Sequence, residues 1–151
     1  AEMDNEPEDV ATLMEIGELL IELGLGQKAH ALLKQTLELD PGNPAAMHNM
    51  AVSCFVTGRY DEGIRYCRAA LKIRPRFVLA LYNLSLAFMC KGQLLRARTF
   101  LNRAERIAPD DERVRRLAAM LGMNSLWWKI QSRMGLLLSG KRRRHGTGPD
   151  G

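Results

Sequence analysis

The chain has 151 residues, 46% of them apolar, and a formal net charge of +5. That length suits one domain able to bury a core, and no apolar run reaches the roughly 18 residues of a membrane-spanning helix. The acidic start AEMDNEPED is unlike a signal peptide, which opens on basic residues followed by an apolar stretch.

In chain order, residues 1–6 read as a disordered acidic leader, and Pro7, Glu8 and Asp9 open a helix that should run to about Leu23. Glu15, Glu18 and Glu22 share one face of it, and the reading that comes first is a solvated face. A cation site or an acid/base pair comes second, because no His or Asp is placed to complete either. A second helix is expected over about 27–39, and Asp40-Pro41-Gly42-Asn43-Pro44 is a turn that restarts the pattern. Two further helix pairs follow, over about 44–57 and 60–73, then 78–91 and 94–107. Asp111 is placed to cap one more helix, about 112–122.

These elements repeat. Gly24, Gly58 and Gly92 are spaced by 34 residues, as are Pro41, Pro75 and Pro109. Leu13, Met47 and Leu81 keep the same interval, as do Ile16, Met50 and Leu84, and the small residues Gly17, Ala51 and Ser85. Each glycine stands where a first helix should end in a left-handed cap, and each proline just past a second helix. In such an array each unit contacts only its neighbours and the ends need a polar cover.

The period and residue types resemble the tetratricopeptide repeat, with Leu13, Met47 and Leu81 at its Trp position and Leu20, Cys54 and Phe88 at its Tyr position. The resemblance covers about residues 8–111. It implies an all-α, right-handed superhelical solenoid of three helix-turn-helix repeats (about 10–43, 44–77 and 78–111) and a capping helix, together spanning 7–123. Arg113, Arg115 and Arg116 would give that last helix a basic outer surface.

The resemblance also implies a protein-binding groove lined by the first helix of each pair. Carried over position by position, the expected partner-binding residues are Met14, His48, Asn49, Val52, Phe55, Leu79, Tyr82, Asn83, Leu86 and Met89. Ala11, Glu15, Glu18, Ile21, Glu22, Ala45, Val56 and Cys90 occupy the flanking groove positions. Most of this groove is expected to be apolar, with Asn49 and Asn83 available to a ligand backbone and Tyr82 and Phe55 as its aromatic anchors. The branch of the family that clamps chaperone C-termini uses Lys, Asn and Arg at positions held here by Met14, Glu18, Asn49, Leu79 and Asn83. Only Asn49 matches, and Glu18 would repel an acidic tail, so that ligand is not expected.

Residues 124–139 read as a further amphipathic helix rich in Trp and Leu, and 140–151 as a disordered basic tail. Three readings of this end stay open. The segment can pack back on the last helices, or Trp127, Trp128 and Lys129 with Lys141, Arg142, Arg143 and Arg144 can hold an anionic membrane surface. Nucleic-acid binding through the basic run is the third and weakest, since no aromatics are interleaved with it.

The charge is also graded along the chain. Residues 1–40 hold ten acidic and two basic residues, whereas 112–151 hold two and nine, which would allow head-to-tail self-association.

Cys54, Cys67 and Cys90 lack metal-ligand spacing and are expected to be buried free thiols in a reducing compartment. The three histidines, His30, His48 and His145, share no expected face. No phosphate loop, H-E-x-x-H or Ser/His/Asp ordering is present. The sequence therefore predicts a non-catalytic, cytoplasmic adaptor that binds a protein or peptide and carries no cofactor or metal, with a place at a membrane surface as the alternative.

Overall fold

The computed structural model describes residues 9–122. The leader, the Trp/Leu-rich segment 124–139 and the basic tail lie outside the described residues. Helices α1 (Val10–Glu22), α2 (Gly26–Leu39), α3 (Pro44–Val56), α4 (Tyr60–Ile73), α5 (Val78–Cys90) and α6 (Leu94–Ile107) form three antiparallel pairs. A seventh, α7, covers 112–122.

Local chemistry sets the ends. Asp9 accepts from the Ala11 amide at 3.2 Å and so caps α1. This side chain starts the helix at Val10, so Asp9 is its cap; Pro7 and Glu8 lie outside the described residues. Asn43 accepts from the Ala45 and Ala46 amides at 3.0 Å, with Pro44 in the first turn where a missing N–H costs nothing. Asp111 caps α7 through the Arg113 amide at 2.9 Å and the Val114 amide at 3.3 Å.

The turn inside each pair is built on one left-handed glycine: Gly24, Gly58 and Gly92 have φ of 73°, 77° and 71°. At the middle one, the Gly58 amide donates to the Phe55 carbonyl (3.1 Å) and the Arg59 amide to the Cys54 carbonyl (2.8 Å), a Schellman closure. Gly58→Val is expected to lower stability by about 1 kcal/mol or more, because a β-branched residue resists this backbone conformation. The thermal midpoints of the two proteins, compared at one pH, check it.

Within a pair the helices meet over small residues. A Cβ on Gly17 would lie 2.9 Å from Leu33 Cδ2. Ser85 is fully buried there and donates to the Ala97 carbonyl at 2.9 Å. The main core runs through the second and third repeats and into α7, joining Leu71, Leu81, Leu84, Phe88 and Leu101 to Val114, Leu117 and Leu121. A smaller cluster of Ala29, Leu33 and Met50 seals the first junction. Among the described residues, α7 thus covers the last repeat.

Successive first helices touch, α1 with α3 and α3 with α5, so one face of the array is made of α1, α3 and α5. Cys54 and Cys67 are buried and free, and burial pushes the Cys67 thiol up to about 12. Cys90 differs from expectation: as the last residue of α5 it is exposed.

Candidate functional site

The face made by α1, α3 and α5 carries a recess of about 390 Å³. Glu18, Ile21 and Glu22 of α1 form one wall, and His48, Asn49 and Val52 of α3 the floor. Leu79, Tyr82 and Asn83 of α5 form the other wall, and Arg113 of α7 closes the far end. Of the ten expected groove residues, the structure brings His48, Asn49, Val52, Leu79, Tyr82 and Asn83 together here.

Met14, Phe55, Leu86 and Met89 are not among the lining residues. Phe55 stacks on Tyr60, with ring centroids 6.1 Å apart, and lies against Gly63, where an added Cβ would fall 2.4 Å from its ring. Gly63 has no side chain to hold the ring off, so the expected aromatic anchor is spent between α3 and α4. Leu86 and Met89 are partly buried against the main core. Trp127, Trp128, Lys129 and the run Lys141 to Arg144 lie outside the described residues.

The floor also carries polar groups, and these are wired to one another. Asn83 Nδ2 lies 2.8 Å from His48 Nε2, His48 Nδ1 lies 3.1 Å from Asn49 Oδ1, and Asn49 Nδ2 donates to Glu18 Oε1 at 2.8 Å. One proton arrangement satisfies all three links. Asn83 donates to an unprotonated Nε2, the Nδ1–H of a neutral His48 donates to Asn49, and Asn49 donates to the Glu18 carboxylate. This relay crosses all three repeats. Glu18 is therefore not merely solvated, and each asparagine has one amide donor already engaged.

Burial lowers the His48 pKa, and Arg113 lowers it further, against the raising effects of Asn49 and Glu18. Phe77 backs the imidazole at a centroid distance of 5.3 Å and is itself covered by the Arg74 guanidinium at 4.8 Å. The charged groups facing His48 across the recess are Glu18, Glu22 and Arg113.

A histidine whose folded pKa is depressed binds protons better when unfolded, so its contribution to stability declines as pH falls from the unfolded value, about 6.5, toward the folded one. His30 is shifted the same way, by burial first and then by Arg59. Stability is expected to fall between pH 7.5 and 5, with His48→Gln showing a shallower slope in denaturant unfolding curves collected across that range. At pH 7.5, nitrogen-15 spectra of the imidazole should show the Nδ1–H tautomer.

Two residues of the site escaped the sequence reading. Arg113 was placed on an outer surface, yet it lines the recess, with both Asp111 oxygens engaging its guanidinium at 3.0 and 3.3 Å. Phe77 stands one period after the capping Asn43 and, having no capping group, turns its ring inward and is buried. The signal was the break in the repeat at that position.

A second cluster joins different repeats. Ligand atoms of His30, Cys54 and Glu62 lie within 4.8 Å of one another. Arg59 already supplies the cation, 3.3 Å from Glu62 Oε2 and 3.4 Å from His30 Nε2. Cys54 Sγ and His30 Nδ1 are 3.8 Å apart, but burial raises the thiol pKa and so disfavours the thiolate a metal would need.

The tetratricopeptide repeat profile matches residues 20–65 and 57–121. A curated relative, the TPR repeat-containing thioredoxin TTL4 of Arabidopsis thaliana, is 27% identical over 96 residues, 64% of this chain. The chain spans only 14% of the length of that relative.

Among solved structures, the type III secretion translocator chaperone SycD of Yersinia enterocolitica superposes with a TM-score of 0.73 at 16% identity, over 80% of this chain and 86% of that one. The first TPR domain of Spaghetti (RPAP3), bound to the HSP90 peptide SRMEEVD, gives 0.72 at 17% identity, over 78% and 93%. With the period, the three glycine turns and the paired helices agreeing, the chain belongs to the tetratricopeptide repeat family.

Proposed function

We propose that this chain is a non-catalytic scaffold that holds a protein or peptide segment in the recess over α1, α3 and α5. The observation that carries the reading is the composition of that recess. Apolar side chains of Ile21, Val52, Leu79 and Tyr82 surround a floor of hydrogen-bonding groups, the mix that fixes a peptide by both its side chains and its backbone. A peptide bound to the similar Spaghetti domain supports the use of this fold for such ligands.

Catalysis is a poor fit. Both ring nitrogens of His48 are engaged in the relay, and apart from the Tyr82 phenol no hydroxyl or thiol side chain lines the recess among the described residues. Buried free thiols at Cys54 and Cys67 fit a reducing compartment such as the cytoplasm. No helix among the described residues is long and apolar enough to cross a membrane. Attachment to an anionic surface, nucleic-acid binding and self-association through residues 126–144 remain separate proposals, each tested by comparing the full chain with one ending at Met123.

The scaffold reading is tested on Tyr82, a half-buried aromatic in the recess wall. Aromatic anchors dominate binding at surfaces of this kind. Tyr82→Ala is expected to weaken capture of a selected peptide by about tenfold or more while circular dichroism stays that of the parent protein. Unchanged affinity in a folded variant would place the ligand elsewhere.

A further inference from the structure

We infer that the recess selects a segment presenting a lysine or arginine next to apolar side chains, with its cation seated against Glu18 and Glu22. The inference rests on the scaffold reading and adds the chemistry of the partner.

Glu18 and Glu22 stand one helical turn apart on α1, both exposed and both lining the recess. Neither forms an ion pair among the described residues. Glu18 is also held in place. The Asn49 amide fixes one carboxylate oxygen at 2.8 Å, so the charge is oriented without a long side chain having to be ordered by the ligand. Every link of the relay points its donor toward Glu18, whose carboxylate oxygen is the last acceptor of the chain.

The opposite charge in the recess is already occupied. Arg113, the cation among the lining residues, is engaged by both oxygens of Asp111. An anionic ligand would have to compete with Asp111 at that end while facing two open carboxylates at the other. A cationic ligand meets no such conflict. Apolar contact is available beside the carboxylates, from Ile21 on α1 and Val52 on α3, and the stem of a lysine or arginine can lie along it with the charge at its tip. The two walls together thus favour a basic and apolar segment and disfavour an acidic one without Lys or Arg, such as SGPTIEEVD, the HSP70 peptide in complex with the second TPR domain of human RPAP3.

The test is selection of a random 12-residue peptide library on the immobilised full chain. It is repeated on Tyr82→Ala and on the double variant Glu18→Gln, Glu22→Gln. Glutamine at position 18 can still accept from Asn49, so the double variant removes charge and keeps the relay.

Clones lost on Tyr82→Ala are expected to be enriched in Lys or Arg beside apolar residues. The selected peptides should bind the double variant about fivefold more weakly, with less salt dependence, and SGPTIEEVD should not compete. Clones lost on Tyr82→Ala that are neutral or acidic and bind the double variant equally well would overturn the charge inference while leaving the scaffold reading intact. A library yielding no clone sensitive to Tyr82→Ala would overturn both.

Discussion

Leu84→Ala is expected to destabilise the protein by about 2–5 kcal/mol, the range for removing a leucine side chain from a packed core. Leu84 is 0% exposed and belongs to the cluster that links the second repeat, the third repeat and α7. Leu81, Ala87 and Leu101 of the same cluster are themselves buried. In a repeat array each unit is stabilised by its neighbours, so a cavity here weakens two interfaces at once. Equilibrium urea unfolding of the variant should give a lower midpoint, and a cost below about 1 kcal/mol would mean that the third repeat is not packed around this residue.

Leu117→Asp should be comparably severe and different in kind. Leu117 of α7 is 2% exposed against the last repeat, flanked by Val114 and Leu121 on the same helix face. Losing the leucine alone removes about 2 kcal/mol of burial, and a carboxylate without a partner adds a desolvation cost. The last helix among the described residues has a cheaper escape than global unfolding, namely to detach, and that local free energy caps the effect.

The expected result is therefore loss of amide protection in α7, with protection in α3 and α4 retained, and self-association as the core face of the third repeat is uncovered. Detachment also carries Arg113 away from the recess. Uniform loss of protection through all helices would show instead that the array unfolds as one unit.

Most of the fold was legible because its constraints are local and repeated. Left-handed turns select glycine, so Gly24, Gly58 and Gly92 mark the three hairpins. Close helix approach selects small residues, so Gly17, Ala51 and Ser85 mark the crossing points. The first-helix register also identified most of the recess, including Asn49, Tyr82 and Asn83.

What the sequence hid depends on side-chain choices and on the end of the array. The repeat pattern assigns Phe55 to the groove, but the missing side chain at Gly63 opens space for the ring on the other side of α3. Arg113 sits on a helix beyond the last repeat, where the period no longer says which way a residue faces. The relay requires Glu18, Asn49, His48 and Asn83 to adopt compatible rotamers across 65 residues of sequence, and no spacing rule encodes that.

The central claim is that ligands bind over the relay on the α1, α3 and α5 face. The most direct measurement is titration of isotope-labelled full-length chain with a library-selected peptide, following the side-chain amide resonances of Asn49 and Asn83 and the imidazole of His48. The account predicts that these three respond saturably with one dissociation constant, while amides on α4 and α6 stay unmoved. Saturable binding that leaves all three unchanged and shifts the α4 and α6 resonances instead would contradict it.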